Sequence, residues 1–175
     1  MNSYGSGNQL SSGNRVADDF TVPSGPDWQV GGVIFYEYQS YSPTSPSPFV
    51  SVNYRIWNGA PNAGGSVVFG DTTTNRLESS VWDNAYRVLD TDVANADRPV
   101  MALTCSGGFT LTPGTYWIDW QADGSSSYSG PWQPPITISG QTTTGNALQY
   151  TSSGWANLLD SGTSTNQGVP FTLLQ

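Results

Sequence analysis

The amino-acid sequence predicts an all-β protein, a two-sheet antiparallel β-sandwich arranged like a jelly roll. Short runs rich in Val, Ile, Thr, Tyr, Phe and Trp recur between clusters of Gly, Pro, Asn and Asp, which is the pattern of strands separated by turns. No stretch has apolar residues at helical spacing with capping signals. The 13% aromatic content, with seven Trp, supplies apolar mass that disordered chains lack. A closed barrel of strands is the alternative arrangement.

Two segments alternate most clearly between apolar and polar residues, as a strand with one buried face does. The strand predicted at residues 49–57 places four apolar side chains on one face: Val50, Val52, Tyr54 and Ile56. The strand predicted at residues 115–122 does the same with Tyr116, Ile118, Trp120 and Ala122. Further strands are predicted at residues 17–22, 33–39, 66–69, 76–82, 85–90, 100–104, 109–111, 136–138, 147–150 and 170–174.

The length of 175 residues predicts one domain with a sizeable core. We assign that domain to residues 15–175 and expect residues 1–14, which are polar and rich in Gly and Ser, to form a flexible tail or linker. They lack the basic and then apolar pattern of a signal peptide. If the protein is secreted, we expect Met1 to have been added before a mature segment. No run of about 18 apolar residues predicts membrane insertion.

The composition excludes several kinds of chemistry. The chain has no His, and its five basic residues are all Arg, so triads, imidazole zinc sites, lysine Schiff bases and Walker-type phosphate binding are excluded. The net charge of −8 and pI near 4.1 exclude nucleic acid as a partner, because its phosphates are bound by Lys and Arg. Cys105 is alone and follows apolar residues, which predicts a buried, inert thiol.

Several short segments resemble a broad group of secreted bacterial β-sandwich domains. They are Asp-Asp-Phe at 18–20, the segment 52–61, Gly-Gly at 64–65 and Pro-Gly-Thr-Tyr-Trp at 113–117. Such domains are accessory modules of extracellular enzymes and surface proteins, mostly without an assigned activity. The resemblance implies an extracellular or cell-surface module of a larger secreted protein, and it carries over no catalytic residue.

Two patterns suggest hydrolytic chemistry, and neither is complete. Residues 158–164 resemble the catalytic segment of aspartic proteases, but that chemistry needs two such carboxylates and the chain has one copy, so we interpret the segment as a polar turn. A glycosidase needs a pair of carboxylates, for which Glu37 and Glu78 are the glutamate candidates. A glycoside-active enzyme is therefore kept as the third hypothesis.

Aspartates between residues 90 and 97 form a candidate metal site. Asp90, Asp92 and Asp97 alternate with other residues in a predicted loop, and carboxylate oxygens are the ligands that calcium prefers. A structural calcium ion is one interpretation, and solvated aspartates paired with Arg98 are the other. No other cofactor is predicted.

The aromatic residues carry most of the functional information. Strand alternation places Trp57, Trp82 and Trp117 on polar faces, with Asp119 beside Trp117. A Trp there is suited to stacking on a sugar ring while polar neighbours bond its hydroxyls. Tyr128 and Trp132, the latter flanked by prolines on a predicted rigid loop, form a second aromatic platform; burial under a loop is the alternative for each Trp.

These observations predict a non-catalytic extracellular recognition domain that binds a polysaccharide or glycan through exposed Trp and Tyr. The alternative is a structural or adhesive surface module that associates with copies of itself. Exposed strand edges favour such association, and the sequence has no Lys to guard them.

Overall fold

The computed structural model describes residues 3–175 and contains two antiparallel sheets packed face to face. The predicted two-sheet β-sandwich is confirmed, and the sheets do not close into one barrel. The strands are β1 Ser6–Gly7, β2 Arg15–Val22, β3 Trp28–Ser40, β4 Phe49–Asn58, β5 Ser66–Gly70, β6 Leu77–Tyr86, β7 Pro99–Leu111, β8 Gly114–Gly124, β9 Ser129–Gln133, β10 Leu148–Thr151, β11 Gly154–Asn157 and β12 Phe171–Leu174. Two short 3-10 turns lie at Leu10–Ser12 and Pro61–Ala63.

Each sheet combines strands that are distant in the sequence. Sheet A has the order β1-β9-β3-β7-β6, and β12 also pairs with β3. Sheet B has the order β11-β10-β2-β8-β4-β5. The chain passes from one sheet to the other at every connection between consecutive strands except β4–β5, β6–β7 and β10–β11.

The core lies between the two sheets and is rich in aromatic side chains. The rings of Phe35 and Trp120 stack with centroids 4.6 Å apart, and Tyr54 meets Phe35 edge-on at 5.6 Å. All three residues are fully buried or nearly so. Burial of rings of this size contributes on the order of 2 kcal/mol each, so these contacts are the main apolar link between the sheets.

The alternation predicted for β8 is confirmed, and that for β4 is confirmed except at Val50. The apolar side chains of residues 116–122 face the core. In β4, Val52 faces the core but Val50 is 60% exposed. A bulge between Phe49 and Ser51 shifts the register against β8, and one extra residue reverses the side on which Val50 lies.

A second bulge changes the prediction for β6. Leu77 pairs with Cys105 and Ser79 with Thr104, so Glu78 is an extra residue that reverses the alternation. Trp82 therefore packs against the inter-sheet core rather than lying on a polar face, while Val81 is exposed.

Four other expectations about secondary structure were wrong. The strand predicted at residues 85–90 is not a separate strand, because Ala85 and Tyr86 end β6 and residues 87–90 form no strand. Residues 136–138 form no strand. The strands predicted at 100–104 and 109–111 are one continuous strand, β7. Trp132 lies in β9, not in a loop, and is paired with Tyr38 of β3.

The predicted flexible tail is part of the sandwich over residues 3–14. Ser6 and Gly7 pair with β9, and Asn8 is fully buried. Arg87 donates to the backbone carbonyls of Ser3 and Tyr4. Met1 and Asn2 lie outside the described residues, so the prediction is corrected only from residue 3 onward.

Candidate functional site

Three of the predicted ligand-binding residues, Trp57, Trp117 and Asp119, lie together on the outer face of sheet B. In each strand the residues between the core positions point outward, and the register places Trp57 opposite Trp117 and Arg55 opposite Asp119. Nearer the other edge of the same face, Tyr150 of β10 pairs with Arg15 of β2 and with Trp155 of β11. We call this surface the tryptophan face, and it comprises Arg15, Asn53, Arg55, Trp57, Trp117, Asp119, Gln121, Tyr150 and Trp155.

The aromatic part of the tryptophan face has one buried ring and several partly exposed ones. Trp117 is 9% exposed and packs with Ala17 and Leu148 in a small apolar cluster outside the main core. Trp57 and Trp155 pack against this cluster and are only partly buried. Trp117 therefore supports the face, and Trp57 and Trp155 are the rings that solvent and ligands can reach.

Tyr150 extends the exposed aromatic surface. It is 37% exposed, and its ring meets that of Trp155 edge-on at 5.2 Å. The two residues are joined by a tight turn in which Gly154 has φ 92°, a conformation that favours glycine. This turn fixes the relative position of the two rings, so the platform is formed before any ligand binds.

A buried ion-pair network lies beside the aromatic rings. Asp119 is fully buried and accepts hydrogen bonds from Arg15 Nε, from Arg55 Nε at 2.9 Å and from Trp57 Nε1. Arg15 also donates to Asn53 Oδ1 at 2.7 Å. Burial lowers the pKa of Arg15, and the charge of Asp119 opposes that effect. The network holds Trp57 in place, since its indole N–H is bonded to a fixed carboxylate.

Arg55 links the network to the surface. Its guanidinium carbon lies 4.7 Å from the centroid of the Trp57 ring, a stacked cation–π geometry, and its side chain is 20% exposed. Arg55 thus presents planar N–H donors next to an exposed indole. That combination can stack on the apolar side of a sugar ring and bond its hydroxyls.

The structure separates the predicted site residues into different places. Trp57, Trp117 and Asp119 lie together on the tryptophan face, but Asp119 is enclosed by its partners and supports the face without contacting solvent. Trp82 lies on sheet A, where its Nε1 donates to Ala85 O. Tyr128 lies in the turn between β8 and β9, and its carbonyl accepts from Gln39.

Trp132 lies on the opposite side of the sandwich from the tryptophan face. Glu37 and Gln133 both reach Trp120 in the core, so their neighbours Tyr38 and Trp132 point out of sheet A. There Trp132 lines a cavity of about 380 Å³ together with Tyr4, Tyr38 and Arg98. Trp132 therefore belongs to a separate concave surface.

The predicted calcium ligands do not form a cluster. Within residues 3–175 there is no group of three His, Cys, Asp or Glu residues that could hold a metal ion. Asp97 accepts a hydrogen bond from Asn95 Nδ2 at 3.0 Å, and Asp90 lines a groove beside Thr137. Asp92 is exposed. Asp90, Asp92 and Asp97 are therefore close in the sequence, but their carboxylates do not converge on one point.

The carboxylates considered for hydrolysis are also far from a paired arrangement. Glu37 is fully buried between the sheets, and its Oε1 accepts from Asn8 Nδ2 and Trp120 Nε1. Asp160 of the protease-like segment accepts from the backbone N–H groups of Gly162 and Thr163, which is the predicted polar turn. Glu78 is exposed on the edge strand β6.

Sequence reasoning missed several residues of the tryptophan face, namely Arg15, Asn53, Arg55, Gln121, Tyr150 and Trp155. Tyr150 and Trp155 flank the residues Thr-Ser-Ser-Gly at 151–154, a turn signal that predicts a hairpin with the two rings on one face. The partners of Asp119 carried no such local signal, because Arg15 and Arg55 come from different strands.

Comparisons with known proteins give no match, whether with family models, curated proteins or solved structures. None of the helices in residues 3–175 is long and apolar enough to cross a membrane.

Proposed function

We propose that this protein is a non-catalytic recognition domain that binds polysaccharide on the tryptophan face. The observation that carries the proposal is the arrangement of three partly exposed rings, Trp57, Tyr150 and Trp155, beside the planar donors of Arg55. Aromatic rings stack on the C–H faces of sugars, and neighbouring polar groups select the hydroxyl pattern. An open sheet face suits an extended chain, since it does not close around the end of the ligand.

Several features favour recognition over catalysis. Glu37 is enclosed in the core by Asn8 and Trp120, where neither water nor a glycosidic bond reaches it. Asp119 is held by two arginines, which keeps it in one role as an ion-pair partner. A glycosidase needs a proton donor and a second carboxylate about 5 to 9.5 Å apart and open to the substrate.

The proposed site of action is outside the cell, as part of a larger secreted protein. The support is the sequence resemblance to secreted accessory domains together with the acidic composition, at a net charge of −8. A polysaccharide at a cell surface or in the surroundings is a partner that needs no basic patch on the protein.

The test is binding of the purified protein to neutral polysaccharides and to their soluble oligosaccharides, read by pull-down and by Trp fluorescence. Trp57→Ala and Trp155→Ala are each expected to weaken binding about tenfold or more, the effect of losing one stacking contact. Trp132→Ala is the matched control, because Trp132 is also a half-buried Trp but lies on the other sheet.

Two outcomes would overturn this proposal. If the unmodified protein binds no neutral polysaccharide, the proposal that the tryptophan face binds such ligands is wrong. An equal loss of binding in Trp132→Ala and Trp57→Ala would show that the face does not contain the site.

A second candidate function, self-association, is favoured by the exposed strand edges. β5 and β6 are the terminal strands of their sheets, and they carry Val67, Val68 and Val81 at 42%, 50% and 59% exposure. Unpaired edges with apolar side chains favour edge-to-edge pairing. Light scattering over a wide concentration range tests it: growth in mass with concentration supports assembly, and a constant monomer mass excludes it.

A further inference from the structure

The cavity on the outer side of sheet A combines aromatic walls with an arginine that forms no ion pair within residues 3–175. Tyr4, Tyr38 and Trp132 line it, and Arg98 and several serines supply its polar atoms. Its volume of about 380 Å³ is within the usual range for small-molecule sites.

Arg98 forms no ion pair within residues 3–175, although Asp97 precedes it in the chain and accepts a hydrogen bond from the same Asn95 side chain. Its Nη1 donates to Asn95 Oδ1 at 3.0 Å, and its guanidinium carbon lies 3.6 Å from the centroid of the Tyr4 ring. The ion pairs found in residues 3–175 join Arg15 and Arg55 to Asp119 and Arg76 to Asp71. Arg98 therefore keeps donors and a full positive charge for a bound anion.

A second arginine strengthens the positive potential behind the cavity. Arg87 makes its bonds to the carbonyls of Ser3 and Tyr4 and to the hydroxyl of Thr137, all neutral acceptors. The charges of Asp90 and Asp160 also act on Arg87 without a hydrogen bond to it. The pKa of Tyr38, which lines the cavity, is raised by burial, and the charges of Arg98 and Arg87 act to lower it.

Two carboxylates lie near this cavity, and both accept hydrogen bonds from groups other than Arg98. Asp97 Oδ2 accepts from Asn95 Nδ2 at 3.0 Å. Asp160 is buried, and it accepts hydrogen bonds from the backbone N–H groups of Ser3, Gly162 and Thr163. Ser3 and Ser161 line the cavity, and Asp160 is not among the residues that line it. Arg98 is thus the charged group that the cavity presents to a ligand.

We propose that this cavity is a second binding site, specific for a sugar that carries a carboxylate. Arg98 would bind the carboxylate through paired N–H donors, and the Trp132 and Tyr4 rings would contact the C–H surface of the sugar. Ser40 and Ser129 line the same cavity, and their hydroxyls would form hydrogen bonds with the oxygen atoms of the bound sugar. In a protein of net charge −8, an arginine beside the aromatic rings of a cavity favours a specific acidic ligand, because the protein as a whole does not attract anions.

This site does not depend on the proposed function of the tryptophan face. Trp132 and Tyr38 point outward from sheet A, whereas Trp57 and Trp155 lie on the outer side of sheet B. The two faces can therefore be tested with different ligands and different variants, and either can fail alone.

The experiment is calorimetric titration of the purified protein with tri-galacturonate and with the neutral galactose trisaccharide. We expect tri-galacturonate to bind and the neutral trisaccharide to bind about tenfold more weakly or not at all. Arg98→Gln and Trp132→Ala should each reduce the affinity for tri-galacturonate by about tenfold or more, and Trp57→Ala should leave it unchanged.

A matched control removes the effect of net charge. Ser24→Asp, on an exposed turn, changes the net charge by the same amount as Arg98→Gln and should leave binding intact. Equal losses in both variants would reduce the effect to general electrostatics and overturn the site. So would the absence of tri-galacturonate binding, or unchanged binding in Arg98→Gln.

Arg98→Lys keeps the test decisive if Arg98→Gln does not fold. Lysine keeps the charge but cannot form paired N–H bonds, so the affinity for tri-galacturonate should fall between those of the unmodified protein and Trp132→Ala. Affinity equal to that of the unmodified protein would contradict the proposed geometry. Neutral polysaccharide binding, measured in parallel, reports on the tryptophan face alone.

Discussion

Asp119 and Glu37 are both fully buried carboxylates, and they differ in what surrounds them. Asp119 lies on the outer side of sheet B between Arg15 and Arg55. Glu37 lies between the sheets, and the groups that contact its Oε1 are the amide of Asn8 and the indole of Trp120. Burial without a cation raises the pKa of Glu37 to about 8, so Glu37 is protonated at neutral pH.

Burial alone therefore does not fix the role of a carboxylate in this fold. The ion pair of Asp119 orients Trp57 and Arg55 at the surface, and so organises the candidate site. Glu37 is a neutral hydrogen-bonding group that joins the segment at Asn8 to the core. Its second oxygen, Oε2, has no hydrogen-bond partner within residues 3–175, which fits a group whose environment does not stabilise charge.

The largest effect is expected from Asp119→Asn. This change leaves Arg15, which is 3% exposed, with no ion-pair partner, and an uncompensated buried charge costs about 3 to 5 kcal/mol. Urea unfolding measures the loss. Asp27→Asn, at an exposed position, is the control and should change the free energy of unfolding little. A small effect of Asp119→Asn would show that the ion pair of Asp119 with Arg15 does not stabilise the fold.

The pH dependence of stability should come from Glu37. Its pKa is about 8 in the folded state against 4.5 for an ordinary Glu, so between these values the unfolded state releases the proton first. The free energy of unfolding therefore falls as the pH rises, by on the order of 3 kcal/mol between about pH 5 and about pH 8.

Glu37→Gln should flatten this dependence and stabilise the protein at about pH 8, because the amide oxygen still accepts from Asn8 and Trp120. A residual slope of the same sign is expected near the pKa of Asp18, which burial raises to about 6. Glu78→Gln, at an exposed position, should retain the full slope. The measurement is the free energy of unfolding of each protein at several pH values. The same dependence on pH in Glu37→Gln and in the unmodified protein would contradict the assignment.

The two arginines of the ion-pair network should differ in their contributions to stability. Arg15 is almost fully buried, whereas Arg55 has a side chain 20% exposed, so solvent screens the second pair more. We expect Arg15→Met to cost about 2 to 4 kcal/mol and Arg55→Met about 1 kcal/mol. Thermal and urea unfolding of the two variants test the order; equal losses would show that burial does not separate the two pairs.

A smaller effect than that of Asp119→Asn is expected from Asn8→Ala. It removes the hydrogen bond to Glu37 Oε1 and should cost about 1 to 2 kcal/mol. That bond favours the ionised form of Glu37. Its loss should therefore raise the pKa of Glu37, so the fall in the free energy of unfolding should extend to higher pH. Hydrogen exchange at residues 6–9 checks the second consequence, faster opening of this segment; Asn62→Ala, on an exposed turn, should have neither effect.

Local sequence patterns predicted the fold class and part of the candidate site. Alternation in residues 115–122 placed Trp117 and Asp119 on the side of β8 opposite to the core, which the structure confirms. The same reasoning failed for Trp82, because the bulge at Glu78 reversed the alternation. A bulge depends on the pairing strand as well as on the local sequence, so alternation alone does not reveal it.

Composition and short-range periodicity predicted the two-sheet architecture, with a closed barrel as the alternative, and the burial of Cys105, and they excluded imidazole and lysine chemistry. Long-range strand pairing encloses Asp119 between Arg15 and Arg55, places Trp155 with Trp57 on one face, and brings Trp132 and Arg98 to one cavity. Each of these groupings joins strands distant in the sequence. The inter-strand register that brings them together is set by packing of the whole sandwich, which no local segment encodes.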